Sequence, residues 1–248
     1  MRAKPGTGAV AAGVGGPVRQ TMNPAVVYAA AAQVLAYPSA ELLGRLPLLR
    51  AALGFAEDPA SGRGAVPDPV DGFGGRPASS IPASSGFGPI LDHLAGNAML
   101  DLQRFHVAEF DTSRRHALHL TYWTDGDTRR RGESLLAFKQ AYRDSGLVVD
   151  LDGELPDYLP MVCEFAVRDD VRGRDLLIRY RTSLELLRLQ LLDDGLPHAG
   201  VLAAICATLP GRSPRTRTEV GALHGAVMPF ETVGLDPYDP RLLPLQGS

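Results

Sequence analysis

Residues 176–191 read LLIRYRTSLELLRLQL, and this stretch decides the fold class. Leu176, Tyr180, Leu184, Leu187 and Leu191 recur at intervals of four, four, three and four. That period puts all five on one face of an α-helix, whereas a half-buried strand would need an apolar residue at every second position. The same period recurs on both sides of it. Asn23 is a good N-cap and Pro24 fits the first helical position, so a helix is predicted from there to Ala36, where Tyr37-Pro38 stops it. Ser39 caps a second helix with Leu42, Leu43 and Leu46. Pro47 breaks or kinks it, and Leu48 to Phe55 continue it. A third helix opens at Pro89 and carries Ile90, Leu94, Ala98, Leu102 and Phe105. A fourth covers Ser113 to Trp123. Asp127 caps a fifth, with Leu135, Phe138 and Tyr142 on one face and Gly146 at its end. A sixth spans Pro156 to Val167, and an eighth runs from His198 to Leu209 and stops at Pro210.

The expected fold is therefore all-α, a single compact bundle of about eight helices with a long disordered internal loop. Only Leu118 to Trp123 alternates like a strand; with no second strand to pair with, it is read as helix. Residues 1–22 hold five Gly and two Pro and read as a disordered tail. Residues 57–89 contain seven Gly, six Pro and five Ser, and read as a flexible insertion within a helical domain spanning 23–210. Residues 211–248, with five Pro, read as an irregular tail.

Composition narrows the function classes. Hydrophobic residues make up 45 %, charged residues 21 %, and the net charge is −3. Nothing here favours nucleic acid or an anionic membrane surface, which call for a basic balance. The most apolar run, Ala25 to Tyr37, is 13 residues long against the roughly 20 that a span needs, so a soluble cytoplasmic protein without membrane insertion is expected. Cys163 and Cys206 are isolated among apolar neighbours and read as core thiols. No phosphate loop, dinucleotide fingerprint, nucleophile elbow or HExxH pattern occurs, so no catalytic residue, metal or cofactor is expected. A competing reading makes the chain a metal-dependent hydrolase using His106, His116 and His119, the last two at a metal-compatible spacing of three.

The densest polar run is Asp125-Gly126-Asp127-Thr128-Arg129-Arg130-Arg131-Gly132. Three arginines in the first turn of a helix oppose its dipole, at a few tenths of a kcal/mol each. Carboxylates at Asp111, Asp125, Asp127, Glu133 and Glu164 are candidate partners, either in a structural ion network or at a recognition surface with aromatic residues Tyr122, Trp123 and Tyr158.

The ordered set Phe110-Asp111, Leu118 to Tyr122, Gly126 to Gly132, Leu155-Pro156-Asp157-Tyr158-Leu159-Pro160 and Glu164-Phe165 resembles the nitrate reductase delta subunit family, and Tyr37-Pro38 suits the same pattern. The resemblance covers roughly residues 24–209. It implies an all-helical chaperone, related to the redox-enzyme maturation proteins that bind twin-arginine leader peptides. Such a chaperone holds the apo catalytic (alpha) subunit of respiratory nitrate reductase by its N-terminal peptide and keeps it competent for molybdenum cofactor insertion. A chaperone for another molybdoenzyme is the nearest alternative. The residues expected to meet the partner are Asp111, Arg115, Tyr122, Asp127, Arg129, Arg131, Asp157, Tyr158 and Glu164. Such a surface would take the apolar face of an amphipathic helix and use its charges for orientation.

Overall fold

The computed structural model describes residues 22–55, 86–126, 128–151 and 153–226, the last four without their side chains. All but the last residue of the expected tail at 1–22 and most of the insertion at 57–89 lie outside the described residues. The described part is all-α. Eleven α-helices follow in order: α1 (Pro24–Leu35), α2 (Ala40–Ala52), α3 (Gly88–Gly96), α4 (Met99–His106), α5 (Leu120–Asp125), α6 (Arg129–Asp144), α7 (Leu159–Arg168), α8 (Asp170–Arg179), α9 (Arg181–Asp193), α10 (Ala199–Thr208) and α11 (Arg217–Ala226). Between α4 and α5 lie a π-helical turn, Val107–Asp111, and a 3₁₀ turn, Arg114–His116.

The expected caps at Asn23 and Ser39 form, whereas α6 follows Thr128 in place of the expected cap Asp127. Asn23 accepts from the Ala25 amide at 3.0 Å, and Ser39 accepts from the Leu42 amide at 3.2 Å. Gly146 ends α6 with φ +71°, a conformation that carries no steric cost only without a Cβ. The eleven helices exceed the expected eight because local breaks divide two apolar runs and because α11 forms beyond the expected last helix. The run from Pro89 splits at Asn97, whose extended backbone and side-chain bond to the His93 carbonyl end α3. The leucine stripe is buried throughout, but Tyr180 (φ −98°, ψ 23°) leaves helical geometry and separates α8 from α9. Pro47, by contrast, stays within a single α2.

Two boundaries move. Phe87 is fully buried and α3 begins at Gly88, so packed structure starts inside the expected insertion. Residues 217–226 form α11 against α9 where an irregular tail was expected, with Val220 buried. A short connection held to α9 makes this possible: Arg181, Glu185 and Arg188 on α9 form buried ion pairs, and the two arginines also donate to the carbonyls of Gly211 and Pro214.

At the centre, α1 packs along α7, flanked by α10, and α9 packs against α10 and α5. Val27, Ala31, Leu35, Leu159, Val162, Cys163, Leu184, Leu187, Val201, Ile205 and Cys206 are among the side chains sealed there. Both cysteines are free and buried, and burial pushes their thiols well above the ordinary range. Two glycines allow backbones to touch: a Cβ on Gly173 would strike the Ala166 backbone, and one on Gly200 would strike Gly86. No helix among the described residues is long and apolar enough to cross a membrane.

Candidate functional site

The strand-like alternation at Leu118–Trp123 has a structural origin. Residues 117–119 are extended and His119 pairs antiparallel with Tyr158. The Leu120 amide donates to the Asp157 carbonyl at 3.1 Å and the Leu159 amide to the Leu118 carbonyl at 2.8 Å. The reading of 113–123 as one helix is thus corrected: the chain runs through a 3₁₀ turn and a bridge, and α5 starts only at Leu120. The partner strand that was missing is a single residue long, too short to show as a pattern.

This bridge carries a buried polar relay. The side chain of Asp157 is fully buried and accepts from the Thr121 amide at 2.9 Å and from the Thr121 hydroxyl at 2.6 Å, both at Oδ2. Its Oδ1 lies 3.3 Å from His119 Nδ1, while His119 Nε2 lies 4.0 Å from Glu154. Burial by itself pushes the Asp157 carboxyl up, but the hydrogen bonds from His119 and Thr121 outweigh it and hold the group below its usual value. Arg131 Nε donates to Thr121 Oγ1 at 3.1 Å, and its guanidinium lies 6.0 Å from the Tyr122 ring centroid. Tyr142 anchors the segment before the bridge by donating to the Pro156 carbonyl at 2.6 Å.

Two recesses adjoin at this point. A polar cleft of about 460 Å³ is walled by residues 110–114, 117 and 118, with His119, Tyr122, Arg131, Glu154 and Tyr158 opposite. An apolar groove of about 680 Å³ lies between the end of α1, the start of α2, residues 147–151 and α7. Glu154 and Tyr158 line both. The groove presents Tyr37, Leu147, Val148, Met161 and Phe165, and Asp150, Glu154 and Glu164 also line it. Val148 is 100 % exposed, an apolar side chain that no described residue covers. Burial raises the Tyr158 hydroxyl, and the nearby Glu154 and Asp111 carboxylates raise it further, so it stays a neutral donor.

The residues expected to meet a partner separate accordingly. Asp111, Tyr122, Arg131 and Tyr158 meet in the cleft, and Tyr158 and Glu164 line the groove. Asp157 lies beneath the surface as a support. Arg129 is exposed and lines neither recess. Arg115 points away from the cleft to Asp194 at 2.9 Å. Asp127 lies outside the described residues. Glu164 pairs with Arg168 at 3.7 Å rather than with the arginine run. Sequence reasoning missed Glu154, Thr121 and the groove; its one available signal was the apolar run Leu147-Val148-Val149 directly after a helix stop.

The histidines weighed as a hydrolase set do not converge. His106 lies 3.7 Å from Asp111, His116 is 2.8 Å from Asp194 and 3.0 Å from Glu109, and His119 sits on Asp157. Among the described residues no group of three or more His, Cys, Asp or Glu side chains could hold a metal ion.

Fold and site together define an all-helical protein with a polar cleft opening beside an apolar groove. Residues 82–202 match the family model described as nitrate reductase delta subunit. The chain is 40 % identical over 155 residues to "Nitrate reductase-like protein NarX" of Mycobacterium tuberculosis, covering 59 % of this chain and 22 % of that one. It is 30 % identical over 115 residues to "Probable nitrate reductase molybdenum cofactor assembly chaperone NarJ" of Bacillus subtilis, covering 46 % of this chain and 62 % of that one. The chain thus spans less than two thirds of the length of these relatives.

Proposed function

We propose that this protein is an enzyme-specific assembly chaperone, without catalytic activity of its own, working in the cytoplasm. Its client is the catalytic subunit of a respiratory nitrate reductase, held by the N-terminal segment while the molybdenum cofactor is inserted. The observation that carries this reading is the cleft and groove that share Glu154 and Tyr158. The apolar groove suits the apolar face of an amphipathic helix, and the mixed charges of the cleft suit the polar groups that fix its direction. The match of residues 82–202 to the family model and the chaperone name carried by the Bacillus subtilis relative support the same reading.

The test is calorimetric titration with a peptide from the N-terminus of a nitrate reductase catalytic subunit. Tyr122→Ala in the cleft removes a half-buried aromatic anchor and is expected to weaken binding by about 2 kcal/mol or more. Val148→Asp in the groove is expected to leave the fold intact, since Val148 is fully exposed, and to abolish detectable binding. Unchanged affinity in both variants would remove this site. Equal affinity for leader peptides of other molybdoenzymes would move the client to that wider class.

A further inference from the structure

The wall of the polar cleft has an attachment that the cleft itself does not contain. Phe110, Asp111, Thr112, Ser113, Arg114, Ala117 and Leu118, more than half of the cleft lining, come from one irregular segment between α4 and α5. A π-helical turn and a 3₁₀ turn build it, and neither is a long or self-stabilising element. Local bonds hold its shape: Thr112 Oγ1 donates to the Val107 carbonyl at 2.9 Å, and Ser113 caps the Arg115 amide at 3.2 Å.

Consecutive residues of that wall turn away from the cleft onto one carboxylate. Arg115 Nη2 lies 2.9 Å from Asp194 Oδ1, and His116 Nε2 lies 2.8 Å from Asp194 Oδ2. On its other side the buried His116 ring meets Glu109 of the π turn, with Nδ1 3.0 Å from Oε2. Asp194 follows the last residue of α9, a helix of the core, and Gln190 Nε2 holds its carboxylate one turn back at 2.5 Å. The bonds from Gln190 first, then His116 and Arg115, keep that carboxyl below its usual value. Cations at a helix C-terminus are favoured in addition by the helix dipole.

We infer that Asp194, with Arg115 and His116, positions the cleft wall for ligand, so that α9 sets the shape of a site it does not line. The inference rests on the cleft being the client-binding site. None of the three residues lines the cleft, so they are positioning residues and not contacts. Asp193 supplies a matched control, because it sits one residue away on the same helix end and pairs with Arg217 of α11 instead, at 3.1 Å.

The experiment compares the full chain with Asp194→Asn, Asp194→Ala and Asp193→Asn by backbone hydrogen exchange and by titration with the client N-terminal peptide. Both Asp194 variants are expected to speed exchange at 107–118 by about tenfold or more and to weaken the peptide by a similar factor. Exchange in α1 and α7 stays as in the parent chain, and Asp193→Asn leaves both readouts unchanged. Unaltered exchange at 107–118, acceleration spread equally over α1 and α7, or the same effect from Asp193→Asn would each overturn the inference. A parent chain that does not bind the peptide would sink the functional reading alone, because the exchange comparison still decides whether Asp194 holds the wall.

Discussion

Replacing Asp157 tests the support beneath the site. Three groups converge on a side chain with no exposure: the Thr121 amide at 2.9 Å, the Thr121 hydroxyl at 2.6 Å and His119 Nδ1 at 3.3 Å. Asp157→Ala strands the Thr121 amide and hydroxyl in a site that water does not reach, and removes the carboxylate that faces His119. Bonds to a buried charged acceptor contribute about 1.5–3 kcal/mol each, and breaking a buried pair costs about 3–5 kcal/mol, so a loss near 4 kcal/mol is expected. Asp157→Asn keeps an oxygen for Thr121 and loses the charge, and is expected to cost about half as much. The folded-state carboxyl is held below its unfolded value, so its contribution is complete above about pH 4 and is lost as pH falls through the folded value. Urea unfolding at pH 7 and at pH 3 measures both effects. The reasoning is refuted if Asp157→Ala melts with the parent chain at pH 7, or if the gap between parent and Asp157→Asn is the same at the two pH values.

The remaining expectations are structural and electrostatic. Gly173→Ala drives a methyl group into the Ala166 backbone between α7 and α8, so denaturant melts are expected to lose about 1–3 kcal/mol; parent-like stability would show that the two helices move apart freely. Burial lowers His93, His106 and His198, the last to about 3, with neighbouring histidines adding to the effect at His198. The folded chain protonates these rings less readily than the unfolded chain, which protonates near pH 6.5, so stability is full above that value and falls below it. His198 alone contributes about 1.4 kcal/mol per pH unit down to its folded value. His198→Phe, packed between Phe105 and Phe110, is expected to flatten melts recorded from pH 7 to pH 5, and parallel profiles would discount the role of this ring.

Much of the fold was legible because burial obeys a helical period. The stripe Leu176, Tyr180, Leu184, Leu187 and Leu191 is buried from end to end, and the caps at Asn23, Ser39 and Gly146 fall where side-chain chemistry requires them. What periodicity cannot register is a break that keeps the apolar face in phase. Tyr180 leaves helical geometry without leaving the stripe, so one expected helix became two. Helix α11 escaped for the opposite reason: Val220 is its single buried apolar residue among those described. The bonds from Arg181 and Arg188 to the Gly211 and Pro214 carbonyls, together with Arg217 on Asp193, tie the connection and the helix to α9. Long-range polar contacts of that kind leave no local pattern.

The site divides along the same line. Asp111, Tyr122, Arg131 and Tyr158 were picked as a charged and aromatic group, and the fold gathers them around one cleft. The dense arginine run directed attention to itself, yet only Arg131 turns inward, because Thr121 offers its hydroxyl oxygen there while Arg129 faces solvent. That hydroxyl can accept from Arg131 because its proton is committed to Asp157, so the orientation of a surface arginine is set by a carboxylate below it. Residue type identified the chemistry, but the depth of Asp157 decides which member of the run faces the cleft. Arg115 makes the complementary case. It was expected to meet the partner, and its bond to Asp194 fastens the wall on which Asp111 is presented. A charged side chain beside a binding site therefore acts in one of two ways, on the ligand or on the backbone that meets it, and the location of its counter-ion distinguishes them.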